Sequence, residues 1–293
     1  MALVRSLPRA RTHTHTRNLR PRWSWLLALP LVLWTVVSVY PFLWMISTSL
    51  KSTNEAAMST SLWPRDPILG LQTYGTVWSD LHFVRDMVNS LVISGGCIAL
   101  TWLVYGLAGY ALAKLEFPFR DAFFIMFTGL IFVPGVTILI PLLILLRNLH
   151  ISGTYLGIIL PVVNGGGPVA MFLLRNYFRS LPHGLYEAAR IDGAGELRIW
   201  GQIYMPLALP ALTFLGINGF MIGFKEWVLP LLTVQDSSMY NLPLGVYYLN
   251  NTTFIQWNVV MTGAVISLLP VLIAFFVLQR YYVQGLTAGA LKG

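Results

Sequence analysis

Six long stretches of the chain contain no Asp, Glu, Lys or Arg: 23–50, 87–113, 122–146, 148–174, 199–224 and 237–279. Crossing a hydrocarbon core of ~30 Å takes about 20 apolar residues at ~1.5 Å rise each, so every stretch is long enough for one helix. The last is too long for a single span and polar from Ser237 to Asn258, which places its helix at about 258–282. In lipid each backbone N–H and C=O needs an internal partner, leaving only helices or a closed barrel. The alternation of a barrel strand is missing from these stretches. The pattern therefore predicts an all-α, polytopic membrane protein with spans at about 25–48, 87–113, 122–146, 154–175, 206–230 and 258–282. A basic arm, 1–22, precedes a single transmembrane domain over 23–283, and a tail, 284–293, follows it. Pro41, Pro134, Pro141, Pro168, Pro210 and Pro270 fall inside the apolar stretches, where neighbouring helices make proline tolerable.

Composition agrees with a lipid-facing surface: 56% of residues are hydrophobic and 10% charged, against about 25% charged in soluble domains. The placement of the basic residues adds direction. With the N-terminus inside, fourteen Lys and Arg lie in inner segments, from Arg5 to Lys292. Four lie outside (Lys51, Arg65, Arg85, Arg147), and Lys225 sits within a span. The excess of inner basic residues puts both termini in the cytoplasm. It also accounts for the net charge of +8 without nucleic acid as a partner. The arm is followed at once by Trp23, Trp25 and a full-length span, so it reads as a juxtamembrane arm rather than a cleaved leader. His13 and His15 have no further ligands beside them and do not make a metal site. Cys97 is alone and forms no internal disulfide.

The connecting segments differ in character. The first outer one, Ser49 to about Asp86, is long and carries turn signals at Pro64, Pro67 and Gly70. The outer segment from Leu231 to Trp257 has no Lys or Arg and is rich in Tyr and Asn, including Tyr247 and Asn250. The inner segment Arg175 to Met205 predicts two short helices with a hinge. Pro182 suits a first turn and Gly193 a left-handed stop. Leu185, Ala188, Ala189 and Asp192 share one helical face, which two alanines leave nearly flat for a close approach by another protein. The second helix carries Leu197, Trp200 and Gly201 and ends before Pro206. An amphipathic pair lying on lipid headgroups has the same look.

The order of residues separates these readings. Glu187-Ala188-Ala189, three residues, Gly193, nine residues, then Ile203-Tyr204-Met205-Pro206 resembles the EAA loop of ABC importer permeases, with Met205 where leucine is usual. Asn89-Ser90, Gly109-Tyr110-Ala111-Leu112-Ala113, Lys225-Glu226-Trp227 with Pro230, and the ending from Tyr281 to Gly293 are similar to the carbohydrate-uptake group, and the ending to the smaller maltose-type subunit. The resemblance implies a subunit lining a pathway for a sugar or related polar solute in a prokaryotic cell membrane. It implies a second permease subunit, two cytoplasmic ATPases that bind ATP and Mg, and an extracytoplasmic solute-binding protein. The EAA residues Glu187, Ala188, Ala189, Asp192, Gly193, Ile203 and Pro206 would then couple the spans to an ATPase. An extended tail with Gly285, Leu286, Thr287 and Lys292 would touch the ATPase dimer as well.

No Gly-Lys dipeptide occurs, so the chain has no P-loop for ATP and binds no cofactor of its own. Polar residues in or near spans remain as pathway candidates: Asn218 and Lys225, seven apart on one face, with Glu226 beside them. Lys225 also fits an interfacial anchor. Asn164-Gly165-Gly166-Gly167-Pro168 is expected to break the fourth span, either exposing backbone to solute or allowing close packing. An intramembrane enzyme is disfavoured because no H-E-x-x-H or G-x-S-x-G occurs. A stand-alone secondary carrier needs no EAA spacing.

Overall fold

The structure, a computed structural model, describes residues 24–249 and 255–290, and among them there are helices and turns but no strand. Helix α1 covers Ser24–Ser49 with Pro30 and Pro41 inside it. The chain divides into two units between Trp44 and Met45. The first unit is α1 up to that point; the second starts with the last turn of α1.

The long segment after α1 is more ordered than its turn signals suggest. Helix α2, Thr53–Met58, is capped by the Ser52 hydroxyl, which accepts from the Glu55 N–H. Helix α3, Pro67–Asp80, is capped by Asp66, whose carboxylate accepts from the N–H groups of Ile68 and Leu69 at 3.2 Å each. Pro67 therefore starts a helix here; its missing N–H costs nothing at a first turn. Lys51 is buried and donates to the Ser61 carbonyl at 2.6 Å.

Helix α4, Phe83–Leu100, runs through a π-helical turn at Thr101–Tyr105 into α5, Gly106–Lys114. Together they make one apolar rod of 32 residues. The next predicted span is broken. Helix α6, Arg120–Gly129, and helix α7, Leu139–Asn148, belong to two rods bent by 97°. The break has a local cause: Val133 precedes Pro134 and is extended, the conformation that a following proline favours. Helix α8, Tyr155–Ser180, is continuous through Pro161 and Pro168, so the expected break at Asn164–Pro168 is absent. The glycines allow close packing instead, since a Cβ on Gly167 would lie 1.8 Å from the Tyr105 hydroxyl.

Helix α9, Gly184–Ile191, is followed by α10, Glu196–Ile199, a π-helical turn over Trp200–Tyr204, and α11, Met205–Leu207. The rod Glu196–Leu207 runs past Pro206 rather than ending before it. It meets α12, Leu209–Lys225, at a bend of 81° centred on Ala208. Helices α13, Val228–Thr233, and α14, Leu242–Tyr248, lie in the segment that follows. Helix α15, Trp257–Ala290, ends beyond the expected boundary near 282 and carries Gly285, Leu286 and Thr287 in helix rather than in an extended tail.

Among the described residues four helices are thus long and apolar enough to cross a membrane, or six spans if each bent pair counts as one. The main core lies between α4, α5, α8 and α12, with Ile93, Cys97, Ile158, Leu174, Phe178, Tyr204 and Leu212 at its centre. Small residues bring the rods together: a Cβ on Gly223 of α12 would lie 2.9 Å from Ser94 Cα of α4. A second cluster of Val77, Leu81, Phe224, Leu242 and Ile266 joins α3, α12, α14 and α15.

Candidate functional site

Helix α9 contains Glu187, Ala188 and Ala189 and ends at Asp192. Its stop is a full C-terminal capping motif. Gly193 adopts φ +76° and its N–H donates to the Arg190 carbonyl at 3.1 Å, while the Ala194 N–H reaches back to Ala189 at 3.0 Å. These are the two bonds of the Schellman motif, and the left-handed residue between them is why glycine stands there. The sequence placed this stop correctly.

The exposed face of α9 differs from the predicted one. Ala189 is 6% exposed and packs into the main core, so it cannot belong to a flat outer face. Leu185, Ala188 and Asp192 do face outward. The most exposed apolar residues are Ile191, at 86%, and Leu197, at 73%, just beyond the cap. Helical periodicity alone missed Ile191; the cue was an isoleucine directly before the stop, where the chain turns away. Glu187 is exposed and accepts from His183 one turn back, Oε1 to Nδ1 at 3.1 Å. Ile203 packs partly against the core, and Pro206 is exposed in the first turn of α11.

Glu196, at the start of α10, holds this region together. Its Oε2 accepts from the Tyr110 hydroxyl of α5 at 2.7 Å, and its Oε1 from the Tyr186 hydroxyl of α9 at 2.9 Å. The Arg190 guanidinium is 3.4 Å from the same Oε1. Tyr110 is 2% exposed. Burial, and the hydrogen bond that Tyr186 donates to the carboxylate, push the Tyr186 hydroxyl above the ordinary phenol range, so it remains a donor. In the sequence Glu196 looked like any first-turn acid, favoured there by the helix dipole.

A second polar cluster surrounds α14. The Asn89 amide of α4 donates to the carbonyls of Ser238 and Tyr240 at 2.8 and 2.7 Å and accepts from the Tyr155 hydroxyl at 2.7 Å. The Ser90 hydroxyl accepts from the Leu242 N–H at 2.9 Å. Asn241 donates to the Glu226 carbonyl, and the Glu226 carboxylate accepts from the Leu229 N–H at 2.9 Å, starting α13. Glu226 is therefore occupied within the chain. Tyr247 is half exposed with its ring 5.6 Å from Trp227, and Tyr248 stacks on Tyr240 at 5.0 Å. Tyr240 and Tyr248 line a cavity of about 300 Å³ with His82, Arg85 and Asp86.

Other predicted residues are not gathered into either place. Asn218 donates to the Phe214 carbonyl of its own helix at 2.9 Å, and Lys225 is exposed at the end of α12. Asn250 and Lys292 lie outside the described residues, as do His13 and His15. Among the described residues no three of His, Cys, Asp and Glu gather closely enough to hold a metal ion.

Comparison with known proteins identifies what this arrangement belongs to. Residues 105–288 match the family model for the binding-protein-dependent transport system inner membrane component. The chain is 32% identical over 265 residues to the diacetylchitobiose uptake system permease protein of Streptomyces coelicolor, covering 89% of this chain and 87% of the relative. It is 32% identical over 271 residues to the trehalose/maltose transport system permease protein of Thermococcus litoralis, covering 92% and 96%. The crystal structure of a bacterial ABC transporter involved in the import of the acidic polysaccharide alginate shares the fold. Its TM-score is 0.75 at 24% identity, over 92% of this chain and 99% of that one. Such a subunit is not itself an ATPase. The chain belongs to the inner-membrane permease subunits of binding-protein-dependent ABC importers, in their carbohydrate-uptake group.

Proposed function

We propose that this chain lines the translocation pathway for a sugar or related polar solute and is driven by separate ATPase subunits that dock on α9. The observation that carries this reading is the α9 surface: Leu185, Ala188 and Ile191 are exposed on a helix whose end is locked by Gly193. A short, rigid helix transmits a partner's movement; a frayed one absorbs it. The solute class is supported by its relatives, a diacetylchitobiose uptake permease and a trehalose/maltose transport permease among them. Both termini lie in the cytoplasm, by the basic asymmetry of the sequence. A second permease subunit completes the pathway as a heterodimer, and a solute-binding protein delivers at the face that carries α14, Tyr247 and Asn250. ATP and Mg are held by the ATPases. The segment with Gly285, Leu286, Thr287 and Lys292 makes a second contact with them.

Affinity purification of the tagged chain from its native membrane tests this. A second permease and an ATPase polypeptide should co-purify, and ATP should be needed for solute uptake by the reconstituted complex. A chain that purifies alone and moves a sugar without ATP overturns the reading.

A further inference from the structure

We propose that Glu196 is a positioning residue that makes α9 and the inner end of α5 move as one body. This rests on the reading of α9 as the helix that receives the ATPase.

Helix α9 by itself is short, eight residues, and its own cap holds only its end. Something must pass its displacement to a membrane-spanning rod. Backbone continuity does so poorly towards α8, because Leu181 is extended between the two helices. Towards α12 the path crosses the bend at Ala208. Beside the packing of Ala189 into the core, a polar route runs through Glu196. One carboxylate accepts from Tyr186 on α9 through Oε1 and from Tyr110 on α5 through Oε2, while Arg190 on α9 pairs with Oε1. Each oxygen is committed to a different element, so one carboxylate ties α9 to α5. Hydrogen bonds to an ionised acceptor are the stronger kind, and Tyr110 is sheltered from water that would compete. Helix α5 is continuous with α4 through the π-helical turn at Thr101–Tyr105, so a displacement of α5 reaches the rod that starts at Phe83. Tyr110 and Glu196 are 86 residues apart in sequence, so the link exists only in the folded chain.

The test uses the assembled importer with Cys97→Ser as background. Spin labels are placed at Gly184→Cys, where a side chain meets nothing within 4 Å, and at Glu116→Cys just beyond α5. Inter-label distances are measured in the resting complex and after trapping with MgATP and orthovanadate. The distance should be equally narrow in both states. Glu196→Ala should broaden the distribution on trapping, and Tyr110→Phe with Tyr186→Phe should do the same while removing only two oxygen atoms. Glu196→Gln, which keeps an oxygen for one hydroxyl and an amide for the other, should restore the narrow distance. An unchanged distribution in both Glu196→Ala and the double phenylalanine variant overturns the proposal, as does a distance that already shifts on trapping in the parent. The double variant decides the question if Glu196→Ala fails to insert. Docking on α9 is read separately: equal recovery of the ATPase with Ile191→Asp refutes docking but leaves the distance measurement to judge Glu196.

Discussion

Lys114 Nζ, in the last turn of α5, donates to the carbonyl oxygen of Leu181, the residue that ends α8, at 3.1 Å. The ammonium also lies 5.1 Å over the Tyr204 ring. A cation at the end of α8 meets the free carbonyls and the negative end of the helix dipole. A hydrogen bond to a charged group contributes about 1.5–3 kcal/mol. Lys114→Met should therefore lower the melting temperature of the detergent-purified chain. An unchanged temperature would show that this contact carries no stability.

Gly193 has a left-handed backbone and open space around its absent Cβ. A substitution there meets strain and no clash, and the strain costs roughly 1–2 kcal/mol for most residues. Gly193→Val should reduce uptake while the protein still inserts, and Gly193→Asn should stay close to the parent, because asparagine tolerates this conformation. Equal uptake in the valine and parent proteins would falsify the role of a fixed stop.

Asn89 gives two protons and takes one, so the three partners need an amide. Asn89→Asp puts a carboxylate against two carbonyl oxygens and should release the segment around α14 more than Asn89→Ala does. Limited proteolysis of intact cells or right-side-out vesicles reads this as faster cleavage between 231 and 257. The same cleavage rate in all three proteins would show that Asn89 does not anchor that segment.

Much of the fold was legible because membrane spans leave a strong signal. The uncharged stretches gave the helices, and a glycine before a new amphipathic segment gave the α9 stop. The proline at 134 was read as tolerable in the same way as those at 41, 168 and 270, yet only it opens a 97° bend. Tertiary neighbours decide whether a membrane proline is absorbed, and a sequence does not display them. Ala189 was assigned to an exposed face because periodicity fixes which residues share a side, but not which side meets the core. Glu196 and Asn89 were harder still. Their partners come from distant elements, so only the folded chain shows that each ties several segments together.

The proposed orientation, with both termini in the cytoplasm, rests on the basic asymmetry of fourteen against four. Cysteine at Tyr247, which is exposed, should react with an impermeant maleimide from outside; cysteine at Arg198 should react only after permeabilisation. External labelling at position 198 would reverse the orientation.

Docking of the ATPase on α9 is read from its recovery with the Ile191→Asp variant. Ile191 is 86% exposed beside the α9 stop, and Met58 in α2 is equally exposed on a segment assigned to the opposite face of the membrane. Each is replaced by aspartate in the assembled importer, and the ATPase that co-purifies with the tagged chain is quantified. Ile191→Asp should lower its recovery about tenfold, the consequence of losing ~1.4 kcal/mol of docking free energy, and Met58→Asp should leave it unchanged. Full recovery with Ile191→Asp, or an equal loss with Met58→Asp, would mean that the ATPase does not dock on α9.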